Sequence, residues 1–465
     1  MPHVRPTLRR QRRTVSALAA VLTLADVTAV HASAVPATET ITATASPAAE
    51  VNHTFVIQAL PSARTTELDR TQNSLSNTEL RSTGFYLPAA TALNVVVHDG
   101  SLLPTLVVGA PDADARKEFK APREYQLRVG RNTVIDAGGG VVYLKLIGST
   151  GQAKVSLGDQ ARPMPYFVLG RTTEAEFQQQ LDERTTPYVE LVAPHTMITV
   201  ERESALKFRT ENHATLLSTY EDIVRIEDAL SGFDGSSSLH ARQAHPYHFV
   251  GYPAAITGVG AYATHGHMSF PPPIQDRMLT VEGLRTRGWG IYHELGHQHQ
   301  QITYKPSSLT EVTVNLYSLA VNAEFATKYG QVPRLHAPDA KTGLTPWQSA
   351  PGKLRQPGVN YGTTFDPYEK LVMFEQLRMA FGPDFWPGLH KLVRVERPAA
   401  GSYTDEALRL RNFVVLTSRT AGYDLRDFFQ AWGFPVDAEA ISQLDALGLT
   451  PPPVDPTTLR QTPPS

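Results

Sequence analysis

The segment Trp289–Gln300 reads WGIYHELGHQHQ, with histidines at 293 and 297 and a glutamate at 294. An α-helix turns about 100° per residue, so positions four apart share a face. His293 and His297 therefore project side by side and can offer two imidazole nitrogens to one cation. Glu294 falls on the flank of that face, within reach of a water on the metal but outside the ligand set. This is the H-E-x-x-H pattern of zinc metalloproteases. The same letters also fit a histidine-rich helix with no metal. The neighbours Ile291, Tyr292 and Leu295 favour the metal, because their apolar character suits a helix inside a protein. Gly296 leaves room for another backbone or a substrate, although glycine costs a helix interior about 1 kcal/mol. His299 points away from this face and is excluded as a ligand.

A catalytic zinc needs a third protein ligand and an open position. The next helical pattern, SLTEVTVNLYSLAVN, supplies Glu311, with Ser308 or Thr310 near its start. Asn315 follows one turn later on the same face, where its carbonyl can take the free ring N–H of a ligand histidine. Glu311 also fits as a first-turn glutamate favoured by the helix dipole. Two such helices in succession make the ligand assignment the better one. Glu294 then acts as general base on a zinc-bound water that attacks the peptide carbonyl.

The chain around this segment has 465 residues, enough for two or three domains; it is 41% hydrophobic and 19% charged, with formal net charge −2. That balance gives no sign of a nucleic-acid surface. The basic start RPTLRRQRR, the apolar run VSALAAVLTLA and the small residues near Ala32 and Ala34 have the three parts of a secretory signal peptide, placed at residues 1–34. Export to a periplasm or the outside follows. No other apolar run reaches membrane-spanning length, so membrane insertion is not expected. There is no cysteine, which excludes disulfides, thiolate ligands, a thiol nucleophile and lipid attachment at the cleavage site.

Residues 35–50 are rich in Ala, Thr and Pro and read as a disordered linker, as does the tail 451–465. Residues 51–198 carry short β-rich runs separated by Gly, Pro, Asp and Asn, the pattern of a β-sandwich or jelly-roll-like domain. Residues 199–450 become mainly helical, so the fold class is α+β. Within them GAYATHGHMSFPPP reads as one strand closed by prolines.

WGIYHELGHQHQ followed by EVTVNLYS resembles the active-site signature of the enhancin-like zinc metallopeptidases, family sixty of the metallopeptidases. The matching positions are Trp289, Gly290, His293, Glu294, His297, Gln300, Glu311 and Asn315. TGFYLPAA, GGGVVYL, GYP, FEQLRMAFG and GYDLRDFFQAWGFPV extend the likeness over roughly residues 80 to 437. The resemblance implies an N-terminal β-sandwich followed by a mainly helical gluzincin-type zinc domain. It also implies proteolysis of O-glycosylated, mucin-like glycoproteins. No stretch reads as the appended carbohydrate-binding module that many relatives carry.

The expected centre is Zn²⁺ on His293, His297 and Glu311, with Glu294 as base and Asn315 behind a ligand. Gln300, Tyr262, His265 and His267 are candidates for touching substrate, the last three from an edge strand able to pair with an extended peptide. His245, His248, His265 and His267 cluster before the zinc helix and can act on substrate or hold a transition-state oxyanion, though such residues are more often loop or surface histidines. The rival is a glycan- or mucin-binding adhesin with a non-catalytic metal site. An aminopeptidase would need an acidic anchor for a free amine, and none is evident.

Overall fold

The run Gly140–Lys145, GVVYLK, is buried at every position but the last. A strand covered on both faces loses the apolar–polar alternation of a half-exposed one, and this strand joins two parts of the molecule. The computed structural model of the chain describes residues 53–402 and 405–462. The expected signal segment 1–34 and linker 35–50 lie outside the described residues.

Nine strands come first among the described residues: β1 Thr54–Gln58, β2 Arg81–Leu87, β3 Ala92–Gly100, β4 Thr105–Val108, β5 Arg123–Gln126, β6 Gly130–Ile135, β7 Gly140–Lys145, β8 Gln152–Leu157 and β9 Arg162–Pro163. They form two sheets, β1-β8-β3-β6 and β5-β4-β7-β2-β9, antiparallel throughout. Alternate residues of β3 point inward, and Val95 and Val97 meet Phe85, Leu106 and Val142 of the other sheet in one core. The opposite face of β7, carrying Val141 and Tyr143, packs on Met197 and Val250 of a third sheet.

That third sheet contains β10 Tyr166–Val168, β11 Tyr188–Val192, β12 Thr196–Glu201, β13 Tyr247–Gly251, β14 Tyr262–Thr264 and β15 His267–Phe270. Its order is β10-β11-β12-β13-β15-β14, which leaves β14 at an edge. The stretch expected as one strand, GAYATHGHMSF, is thus a hairpin, turned at Gly266 with φ 89°. Glycine enters that left-handed region without a Cβ penalty. The division expected at 198/199 falls inside β12, whose neighbours β11 and β13 hold it in the sheet.

Helices cover the far face of this sheet. Against it lie α1 Glu174–Glu183, α2 His213–Leu230, α3 Trp289–His299 and one side of α4 Asn315–Tyr329, while α5 Pro367–Phe381, α6 Phe385–Glu396 and α7 Glu406–Ala421 gather with the other side of α4 in a separate core. α2 starts where the Asn212 side chain accepts the Thr215 N–H, and α5 where Asp366 and Glu369 form a reciprocal capping box. The α2 stripe Leu216, Leu217, Tyr220, Ile223 and Val224 has the spacing of one apolar face and enters the core beneath α3. The tail expected to be disordered is seated in part: Pro456 and Thr457 are buried, and the Gln376 side chain donates to the Thr457 and Leu459 carbonyls at 3.1 and 3.3 Å. Backbone carbonyls that cap a buried amide give this proline-rich end a fixed place despite its few apolar residues. No helix among the described residues is long and apolar enough to cross a membrane.

Candidate metal centre

α3 is covered nearly all round: Ile291, Tyr292 and Leu295 are buried, and so are Glu294 and His297. Its partner is the short helix Thr310–Thr313, continued after Val314 by α4. A Cβ on Gly296 would sit 3.0 Å from Tyr317 Cβ, Val314 Cγ2 and the Val314 carbonyl. Only glycine lets the two backbones come this close, and the approach brings Glu311 over the histidines.

His293 and His297 stack edge to face, with ring centroids 4.8 Å apart. Their Nε2 atoms lie 3.0 and 3.4 Å from the same Glu311 oxygen. Asn315 donates its amide to the Glu311 carbonyl at 2.8 Å, which fixes its Oδ1 as the acceptor for His293 Nδ1–H at 2.9 Å. Gln300 works the same way. Its Nε2 donates to the Thr310 carbonyl and Thr313 Oγ1, both at 2.8 Å, and its Oε1 accepts His297 Nδ1–H at 2.7 Å. With Nδ1–H engaged in each ring, it is Nε2 that faces Glu311: protonated, it donates to the carboxylate, and deprotonated, it offers its lone pair to a cation shared with that carboxylate. Two lone pairs and a carboxylate, with ligand atoms within 4.8 Å of one another, fit a divalent cation.

Burial lowers the His293 pKa, but hydrogen bonds to Glu311 and Asn315 and the Glu294 charge outweigh it, so the net shift is upward. Burial raises the Glu311 carboxyl, but its hydrogen bonds to both imidazoles win and hold it well below the usual carboxylate range. Glu294 moves up because of its burial, with the two histidines opposing. Its carboxylate has no hydrogen-bond partner among the described residues, so it is free to take a proton from a water.

Residues 160–433 match the family described as peptidase M60, enhancin and enhancin-like, and residues 48–157 match the N-terminal domain of M60-like peptidases. The chain belongs to the M60 family. Among its relatives is TRPM8 channel-associated factor 2 of Homo sapiens, 26% identical over 298 residues, 62% of this chain but 29% of the relative. The chain thus spans about a third of the length of that relative. A functionally unknown conserved protein from Bacillus anthracis str. Ames shares the fold with TM-score 0.76 and 27% identity, over 87% of this chain and 80% of that one. A metallopeptidase in complex with Tn antigen superposes with TM-score 0.70 and 19% identity, over 86% and 78% of the two chains.

Within this M60 domain the four residues expected at the substrate have different places. Gln300 is 3% exposed and fully engaged behind His297, so it orients the imidazole and has no free group for a substrate. It does so because it is the first residue outside α3, with ψ 123°, which turns its side chain back over the last turn. Tyr262 and His267 are also committed. With Ser269 they donate to the Asp112 carboxylate of the N-terminal part, His267 at 3.0 Å and Ser269 at 2.6 Å. They lock the hairpin rather than face a ligand. His265 alone keeps a free side: its Nδ1 accepts the Ser76 N–H at 3.2 Å, which leaves the proton on Nε2.

His245 and His248 are buried against the Pro61 carbonyl and Thr199. His299 lies on the opposite side of α3 beside Ser231 Oγ at 3.0 Å, and its burial pushes its pKa down to about 3. β14 runs alongside the metal-ligand helix, tied to it by Gln298 Nε2, which donates to the Thr264 carbonyl at 2.7 Å.

Four residues have tasks that the sequence reading did not give them. Trp289 Nε1–H donates to Asn315 Oδ1 at 3.1 Å, so the indole steadies the amide that steadies His293. The Arg334 guanidinium lies 5.1 Å from the Trp289 ring centroid and 4.8 Å from that of Tyr368. This wall separates cavities of about 480 and 690 Å³, one helical turn from His293. Lys305 is 9% exposed, and burial brings its ammonium down to about 8, with Glu311 opposing and Arg409 assisting. Trp289 was readable as part of the motif; Arg334, Tyr368 and Lys305 come from distant segments, and no local pattern marks them.

Proposed function

We propose that this chain is an exported zinc endopeptidase of gluzincin type that cuts O-glycosylated, mucin-like proteins. The observation that carries the reading is the pairing of a converged His293–His297–Glu311 set with an unpartnered Glu294 beside it. A purely structural ion has no use for that free base. Two imidazoles and one carboxylate are the donor set of catalytic zinc with an open position. The metal, when bound, supplies Lewis acidity to the scissile carbonyl. Glu294 takes the proton of the attacking water and returns it to the leaving nitrogen. Asn315 and Gln300 keep both imidazoles turned toward the cation, and Trp289 keeps Asn315 in place. An extended substrate adds as a strand along β14, whose outer edge has no neighbouring strand among the described residues.

Support for a glycosylated substrate comes from the aromatic and basic wall of Trp289, Tyr368 and Arg334, with cavities able to hold a sugar beside the cleft. The fold neighbour solved with Tn antigen is consistent with it. The expected position outside the cytoplasm rests on the basic, apolar and small-residue order of residues 1–34.

The test is incubation with a mucin-type glycoprotein, with and without a chelator, and mapping of new termini by mass spectrometry. Chelator-sensitive cuts beside glycosylated Ser or Thr are expected, with lower kcat/KM on the matched bare peptide. Equal cutting of the bare peptide would remove the glycan requirement and leave the peptidase. Binding to mucin with no cleavage would favour the adhesin.

A further inference from the structure

The Lys305 ammonium has a single hydrogen bond, from Nζ to Ser74 Oγ at 3.1 Å, and no carboxylate at ion-pair distance among the described residues. A buried ammonium without a counter-ion is costly. The Glu311 carboxylate is close enough to act on it, but a carboxylate that ligates a cation cannot also neutralise a lysine.

Two further donors lie near this ammonium. Ser76, two residues beyond Ser74, gives its N–H to His265 Nδ1, and the His265 Nε2–H is left with no acceptor among the described residues. Arg64 is exposed and has no partner among the described residues. Arg64 and Lys305 both act on His265, pressing its pKa down after burial has done so. The chain that carries Ser74 and Ser76 is itself fastened to the metal-ligand helix. Ser74 N–H donates to the Gln300 carbonyl at 2.7 Å, and Asn73 Nδ2 donates to the Gln298 carbonyl at 2.8 Å. His265 directly follows β14, so a peptide laid along that edge passes these groups.

We propose that Arg64, His265 and Lys305 form a subsite for an anionic group, a carboxylate or sulfate, carried by the substrate next to the scissile bond. Placing it on a substrate rests on the peptidase reading. The three donors come from separate segments, and charge-assisted hydrogen bonds to one anion would satisfy all of them together. The anion can sit on an acidic sugar or on an acidic peptide side chain.

The test uses the full, metal-loaded chain and three glycopeptides matched except for charge: a neutral one, one with a carboxylate-bearing sugar, and one with Asp beside the cleavage point. Affinities are measured by calorimetry on the Glu294→Gln protein, and kcat/KM on the unaltered one. One acidic peptide should bind about tenfold more tightly than the neutral peptide, with the preference shrinking as salt rises. The arm that shows the preference identifies its source. Lys305→Met and Arg64→Gln should bring the acidic-to-neutral ratio toward one, and Lys305→Arg should restore much of it. Arg64 is on the surface, so its variant keeps the test decisive if Lys305→Met does not fold. Equal affinity for all three peptides, or an unchanged ratio in Arg64→Gln, overturns the subsite. Tighter acidic binding with no cleavage of any peptide keeps the subsite and sinks the peptidase; cleavage without acid preference does the reverse.

Discussion

A proton and a metal ion compete for the same Nε2 of His293. Because the metal-free imidazole is more basic than usual, metal affinity should be full above that raised pKa and fall as pH drops through it. Calorimetry in two buffers of different ionisation enthalpy should show proton release on metal binding at neutral pH; identical heats would contradict it. Glu294→Gln should keep its metal and lose roughly 10²–10⁴-fold in turnover, since it removes a base and no ligand. Metal loss in that variant, seen by elemental analysis, would make Glu294 a ligand instead. Asn315→Ala or Gln300→Ala should weaken metal binding by roughly 10–100-fold by freeing an imidazole to rotate. Unchanged affinity would show that packing alone orients the rings. At this scale the grouping of His293, His297 and Glu311 was legible, because a fixed four-residue spacing places both histidines. The task of Gln300 was not, because it depends on the chain leaving the helix at that residue.

The crossing of α3 with the Thr310–Thr313 turn and α4 depends on Gly296. Gly296→Val adds a Cβ that would meet neighbours at 3.0 Å and two methyls beyond it, and should cost about 1–3 kcal/mol as the helices part. Metal affinity should fall with it, because Glu311 is carried on the partner segment. A melting temperature and metal affinity both equal to the parent's would show that the contact gives way freely. Elements with strong periodicity or caps were readable, α3 and α5 among them. The Tyr262–Phe270 segment was read as one strand because its turn is signalled by Gly266 alone.

The N-terminal sheets and the M60 catalytic part meet through buried polar groups as well as through β7. Tyr143 and Ser82 donate to the fully buried Glu190, Tyr143 at 2.5 Å, and Asp112 gathers Tyr262, His267 and Ser269. Burial acts to raise the Asp112 carboxyl, but the hydrogen bonds from His267, Ser269 and Tyr262 win and hold it well below its ordinary value. A depressed carboxyl contributes stability above its unfolded pKa, near 3.9, and loses it as pH falls further. Asp112→Asn should therefore lower stability at pH 7 by about 1–3 kcal/mol, with a smaller gap at pH 2–3. Calorimetric melts at both values check it, and a deficit that does not shrink in acid would mean the charge is immaterial. The two-part organisation was legible from the change in composition. Its seam was not, because a strand buried on both faces reads like any other apolar run.

The Asp112 cluster also limits how this architecture can be recombined. The hairpin that borders the cleft takes its anchor from another module, so the catalytic part is not a portable cassette. A chimera that grafts it onto a foreign N-terminal half inherits Tyr262, His267 and Ser269 without their acceptor. Such a fusion could keep the His293–His297–Glu311 group whole and still set β14 out of line. Lineages that exchange these halves should exchange the acid and its three donors together.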